Sequence, residues 1–256
     1  MAHNIRPLSF AEILDRAFAV LRDNFSLIVG ISAIVWIPYG VVLALGRLAP
    51  DPTLRAVIAI VAELALIFAA PIIGIAITTA VARVYLDRPA TISDAYRSSG
   101  PIVARAVGTY FLAGVLLFLA FVALIVPGIY FMTCWALIVP VMIIEHRFGV
   151  GALHRSRELV NGAWWRTFGI VLAAGLITQV PAAAFGFLWM YIPFLGPILN
   201  AATLAVTSTY SGVVFVIYYF DRRCRSEDFD LRLLAEQVRS EIGTGTRAVT
   251  GTSPVA

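Results

Sequence analysis

The sequence predicts an all-α integral membrane protein of about six transmembrane helices, paired as three hairpins, with short amphipathic interfacial helices on the cytoplasmic side. Three observations carry that expectation. Sixty per cent of the residues are hydrophobic and only 13% are charged, whereas a soluble domain is just under half apolar, so a soluble core of this size could not cover the excess. The apolar residues lie in uninterrupted runs, long enough at ~1.5 Å per residue to cross a ~30 Å hydrocarbon layer. The arginines gather between alternate runs, the pattern left when the loops on one side of a membrane are not translocated.

Residues 1–24 read as a cytoplasmic amphipathic helix. Phe10, Ile13, Leu14, Ala17, Phe18 and Leu21 fall at helical spacing with charges opposite them, a stripe suited to lying flat on the inner surface. Ser9 with Glu12 three residues on is a capping-box pattern that starts the helix ahead of the stripe. Residues 25–220 form the six-span unit. Its first run is Phe25 to Leu48, kinked at Pro38; after a break at Pro50, Asp51 and Pro52 comes Ala56 to Ala82, which carries Glu63 and Pro71. Arg83 to Arg105 is a polar connector in which Thr91 and Asp94 open a short interfacial helix. Ala106 to Val126 and Ile129 to Ile144 make the second hairpin around Pro127 and Gly128. Its return run is short, so it either thins the bilayer or does not cross completely.

Glu145 to Thr167 is the next polar connector, with a stripe of Ala152, Leu153, Ser156, Leu159, Val160 and Ala163, and with Trp164 and Trp165 marking the interface. Phe168 to Trp189 and Pro197 to Phe220 close the third hairpin. Surface helix plus hairpin therefore recurs, at unequal spacing and with little identity, as a weak repeat. Residues 221–242 are expected to form a cytoplasmic helical tail with a stripe of Leu231, Leu234, Ala235, Val238 and Ile242, and residues 243–256 a disordered terminus.

All 19 basic residues are arginines, and only Arg47 and Arg55 fall on the far side of the predicted spans. The positive-inside rule then places both termini and the two long connectors in the cytoplasm. Arginine without lysine, beside abundant alanine, suggests a GC-rich bacterial genome and hence an inner membrane. No cleaved signal peptide is expected, because the first two dozen residues mix arginines with acids. A net charge of +4, scattered along the chain, excludes a nucleic-acid footprint. The expected partners are membrane lipids, anionic on the cytoplasmic side, and a protein of unspecified identity. Arg16, Arg22, Arg97, Arg155, Arg157 and Arg166 lie on or beside the surface helices and are the candidates to meet lipid phosphates. The alternative is that they pair with Asp15, Asp23, Asp94 and Glu158. Cys134 and Cys224 sit at different depths, so no disulfide is expected, and Cys224 is expected to be open to a thiol reagent on the cytoplasmic side.

The opening Arg6-Pro7-Leu8-Ser9-Phe10-Ala11-Glu12-Ile13-Leu14-Asp15-Arg16-Ala17-Phe18, together with Val126-Pro127-Gly128-Ile129-Tyr130, Ala152 to Asn161 and Tyr219-Phe220-Asp221 through Leu231, resembles the motifs of the bacterial glycerophosphoryl diester phosphodiesterase membrane domain family. The resemblance runs from Arg6 to about Leu234, with departures at Arg222 and Asp228. It implies the membrane part only, since the family's name comes from fusions to a catalytic domain. Such a domain would need a soluble barrel of ~250 residues with carboxylates and histidines around a divalent metal. His3, His146 and His154 are the only histidines and the tail after Phe220 is too short. The chain is therefore read as a non-enzyme with no cofactor and no metal. Glu145, His146, His154 and Glu158 come nearest to a metal cluster, and solvated side chains on a connector are the preferred reading.

Glu63 is the one carboxylate well inside a predicted span, where exposure to lipid costs about 2.5 to 3.5 kcal/mol on insertion scales. Tyr39 and Glu63 stand at equal distances on either side of Asp51, so a hairpin brings them to one depth. A structural hydrogen bond is expected there, with an ion or proton pathway as the alternative. Gln179 and Asn200 are expected to supply further buried polar partners. The leading function is a scaffold or accessory module that contacts anionic lipid or a protein partner. The alternative is a transporter of a small or lipidic substrate that uses Glu63, with Pro38, Pro71, Pro140 and Pro181 interrupting the helices at membrane depth.

Overall fold

The computed structural model describes residues 7–86 and 88–227. The stripe from Leu231 to Ile242 and the terminus 243–256 lie outside the described residues, as does all but the first part of the 221–242 tail. Helix starts follow local capping chemistry. In α1 (Phe10–Asp23) the Glu12 N–H donates to Ser9 Oγ while the Ser9 N–H donates to Glu12 Oε2, at 3.3 and 2.6 Å. Only Asn24 separates it from α2 (Phe25–Gly46). α3 (Pro52–Tyr85) opens with proline at its first position and with Asp51 accepting the Thr53 N–H at 3.0 Å. α4 (Ile92–Ala123) is capped by Thr91, α5 (Ile125–Cys134) and α6 (Ile138–Ile144) follow, and α7 (Val150–Val160), α8 (Trp164–Trp189) and α9 (Gly196–Glu227) complete the described residues.

Among the described residues six stretches are long and apolar enough to cross a membrane: α2, α3, the part of α4 from Gly100, α5 with α6 as Ile125–Ile144, α8 and α9. No strand occurs among the described residues. The protein is an all-α polytopic membrane protein. The start of α1, the α3–α4 and α6–α8 connections and the end of α9 share one end of the bundle, the arginine-rich end. The α2–α3, α4–α5 and α8–α9 turns form the far end.

α9 is the central helix, packed between α2 and α8 and also touching α1 and α3. Val213, Val214, Val216, Ile217, Tyr218, Tyr219 and Phe220 are fully buried on it. α2 meets it almost backbone to backbone, because a Cβ on Gly40 would lie 2.6 Å from Ala201 Cβ and 2.8 Å from the Pro197 carbonyl oxygen. Further along the same seam Ser32 Oγ donates to the Ala205 carbonyl at 2.7 Å and accepts from Thr209 Oγ1 at 3.0 Å.

The structure departs from the sequence expectations in the second hairpin and in the surface helices. Thr91 starts no separate interfacial helix; α4 runs unbroken through Pro101. One missing hydrogen bond costs less than ending a helix at the membrane boundary. The second hairpin turns at Leu124, which is extended at φ −165° and ψ 150°. Pro127 falls in the first turn of α5, where an N–H has no helical acceptor anyway. Gly128 packs against the Phe121 ring too closely for any side chain. The crossing is thus longer than expected, but it is broken between Cys134 and Ile138.

Ser156 on α7 closes that break. Its hydroxyl accepts from the Leu137 N–H at 3.2 Å and donates to the Cys134 carbonyl at 2.8 Å. α7 therefore buries its stripe against α5, α6 and α9 rather than against lipid. α1 behaves similarly: Ile13, Ala17, Val20 and Leu21 pack on the bundle, and Phe10 and Phe18 remain exposed. Both cysteines are buried and neither is in a disulfide, so Cys224 is closed to the thiol reagent that its position in an arginine-rich segment predicted would reach it.

Gly40→Val should destabilise the α2–α9 seam by about 1–3 kcal/mol through overpacking. Thermal unfolding in detergent reads the loss, and an unchanged midpoint would contradict the close contact.

Candidate functional site

Polar chemistry concentrates in two places, the α2–α3 pair at membrane depth and the arginine-rich end. In the first, the Tyr39 hydroxyl on α2 donates to Glu63 Oε1 on α3, the juxtaposition that their equal spacing from Asp51 predicts. Glu63 faces out of the bundle and Tyr39 is half-buried. Beside them, along the α2–α3 seam at Pro38, lies an apolar groove of about 510 Å³ lined by Val35, Tyr39, Val42, Val57 and Val61 among others. Gln179 and Asn200 do not join them. Gln179 is exposed on α8, and Asn200 is half-buried on α9, facing Gly186 at the far end. The rotation of α8 turns Ala174, Thr178 and Ala182 inward instead.

Deeper in the bundle is a cavity of about 290 Å³ with Trp36, Thr78, Tyr110, Pro140, Ser208 and Ser211 on its walls. A larger groove of about 880 Å³ opens between α3 and α4, lined by Phe68, Pro71, Phe111 and Phe118. Ala70 and Tyr110 belong to both. Sequence reasoning missed Tyr110, Ser208 and Ser211. The available signal was the i, i+3 spacing of the two serines within a membrane helix.

At the arginine-rich end, the Asp221 side chain is completely buried. It accepts from the Leu8 N–H at 2.7 Å and from Arg225 Nε at 3.1 Å, and pairs with Arg166 Nη2 at 3.1 Å. Arg166 and Arg225 also donate to the Leu8 carbonyl at 2.6 and 2.7 Å. A second cluster is built on Arg155, which donates to Glu145 Oε2 at 2.7 Å and to Glu227. Tyr219 donates to Glu145 at 2.9 Å, and Arg223 to Glu227 at 3.0 Å. Burial alone would lower the Arg155 pKa, but the hydrogen bonds and charges of Glu145 and Glu227 outweigh it and push the pKa up. Arg222 donates to the Leu159 carbonyl at 2.7 Å, anchoring the end of α7.

These contacts correct the expected roles of two arginines. Arg155 and Arg166, candidates for lipid phosphate, direct their donors inward, because charges this far from water require carboxylate partners. Their partners are Glu145, Glu227 and Asp221, with only Glu158 from the expected set, at 3.6 Å from Arg155. Arg16 lies over the Tyr85 ring at 5.8 Å. Arg22 is exposed beside Asp23 at 3.2 Å. Arg97 and Arg157 are exposed and, among the described residues, have no carboxylate at ion-pair distance. His154 pairs with Glu158 at 3.2 Å on the surface while Glu145 faces Arg155. No group of three metal-ligating side chains occurs among the described residues.

Comparison with protein-family models, with curated proteins and with solved structures gives no match.

In a cycle of Tyr39→Phe and Glu63→Leu, the coupling should be about 0.6 kcal/mol and no more than about 1.7, the range for hydrogen bonds inside a bilayer. Zero coupling in detergent unfolding would mean that the two groups act separately. Asp221→Ala should cost on the order of 3 kcal/mol by stranding two guanidinium groups, read as a lower unfolding midpoint and earlier proteolysis near Leu8.

Proposed function

We propose that the protein is a non-catalytic membrane scaffold or accessory module whose arginine-rich end faces the cytoplasm and holds anionic lipid. The observation that carries this reading is the division of labour among its arginines. Arg155, Arg166, Arg222 and Arg225 knit α1, α7, α8 and α9 into one platform. Arg22, Arg97 and Arg157 are left on its surface, and Phe10, Phe18 and Trp165 are exposed at the same end. Basic groups beside apolar anchors suit an anionic leaflet, at about 1 kcal/mol for each basic residue. The motif resemblance to the phosphodiesterase membrane domain family, whose membrane part is distinct from its catalytic domain, supports the same reading.

A second reading, transport of a small or lipidic substrate, is favoured by the hydroxyl-lined cavity that adjoins the α3–α4 groove at Tyr110. Flux across liposomes that vanishes with Glu63→Gln would replace the scaffold reading by this one.

Lipid that co-purifies with the protein tests the leading reading. Phosphatidylglycerol or cardiolipin should be enriched over the bulk membrane, and its affinity for the arginine-rich end should fall roughly thirtyfold after Arg97→Gln with Arg157→Gln, the effect of losing two basic contacts. Bulk-like lipid in the wild type would overturn it.

A further inference from the structure

Arg47 and Arg55 are the two basic residues at the far end, and both line a single cleft of about 550 Å³ between the α2–α3 and α8–α9 hairpins. Arg47 follows the last turn of α2 and Arg55 belongs to the first turn of α3. Leu43, Ile58 and Ala59 continue the cleft about one turn further into the membrane, and Trp189 and Asn200 form its opposite wall. The cleft is thus cationic at its mouth and apolar along the spans.

Neither guanidinium is neutralised. Arg47 Nη1 donates to the Pro193 carbonyl at 2.8 Å, and Arg55 donates from Nε to Ala49 at 2.8 Å and from Nη2 to Pro50 at 3.2 Å. Backbone carbonyls position the two groups without cancelling their charge, and most of the ten N–H donors of two arginines are left over. Asp51 is the one acid in the far-end turns, and it directs its carboxylate to the Thr53 N–H at 3.0 Å. Glu63 lies two turns deeper and is held by Tyr39. Among the described residues no carboxylate is within ion-pair distance of either arginine, and the half-buried Asn200 amide has no hydrogen-bond partner. Two like charges in one cleft repel unless a counter-charge joins them.

The geometry points to a binding site for the phosphate-bearing headgroup of an anionic lipid in the far-end leaflet. The phosphate takes the place between Arg47 and Arg55, whose planar forks each offer two parallel hydrogen bonds. Asn200 supplies a further donor, and the start of an acyl chain follows Leu43, Ile58 and Ala59. The volume is in the ~300–1,000 Å³ range of ligand pockets. The apolar continuation along the spans selects a lipid over a free anion. This site is separate from the Arg97 and Arg157 surface and does not depend on it.

Native mass spectrometry of the full-length protein in a neutral detergent tests the site by titration with phosphatidylglycerol, phosphatidylcholine and inorganic phosphate. One phosphatidylglycerol should persist in the Arg97→Gln, Arg157→Gln variant and bind at least about tenfold more weakly after Arg47→Gln with Arg55→Gln, the effect of losing charge-assisted hydrogen bonds. Because Arg47 also holds the turn at Pro193, Ala59→Phe is the second test. It fills the cleft, leaves both arginines in place and should give the same loss. Undiminished phosphatidylglycerol binding in both cleft variants overturns the site. Equal retention of phosphatidylcholine or of inorganic phosphate overturns it as well.

Discussion

The buried carboxylate of Asp221 joins the two ends of the described chain, and the arginine-rich end is organised around it. A charge with no access to water must be met by opposite charge and by hydrogen bonds. Asp221 is met by the Leu8 N–H, Arg166 and Arg225. Those three partners fix the start of α1, the first turn of α8 and the last turns of α9 at one point. With α9 held there, its apolar faces are presented to α2 and α8, and the Gly40 seam can close.

Much of this was legible in the sequence and some was not, for physical reasons. Hydrophobic run length identified the spans directly, and the Ser9–Glu12 and Thr91 caps marked helix starts, because both signals are local. Tyr39 and Glu63 were paired correctly, since a tight hairpin converts sequence symmetry about Asp51 into equal depth. Proline misled the reading of the second hairpin: Pro127 marks a helix start as readily as a turn, and Leu124, an ordinary apolar residue, carries the extended backbone instead. The distant partners of Arg155 and Arg166 were out of reach, because Arg166 and Leu8 are 158 positions apart and Arg155 and Glu227 are 72 apart. Stripe patterns also could not distinguish a helix resting on lipid from one resting on its own protein. α7 has the composition of the former and the packing of the latter.

Polar groups in the spans or packed against them include two kinds. Ser32, Thr209 and Ser156 are buried, with their hydrogen bonds made to neighbouring helices, and they add specificity to an apolar seam. Glu63, Tyr110 and Asn200 stand at grooves or cavities or on the outer face of the bundle. The first kind explains how the helices recognise one another, and the second is where ligands or lipids have something to recognise.

The break between α5 and α6 has a consequence for biogenesis. The Cys134 carbonyl and the Leu137 N–H have a shared partner in Ser156, which is synthesised 22 and 19 residues after them. When this span first meets the bilayer, its backbone is therefore incomplete, and hydrocarbon offers no substitute for the missing hydroxyl. The nascent segment is a poor candidate to leave the insertion machinery alone. It has to be retained there, or sheltered by α4, until α7 has emerged and folded back. Order of synthesis thereby becomes order of assembly, with a surface helix completing a membrane span that preceded it.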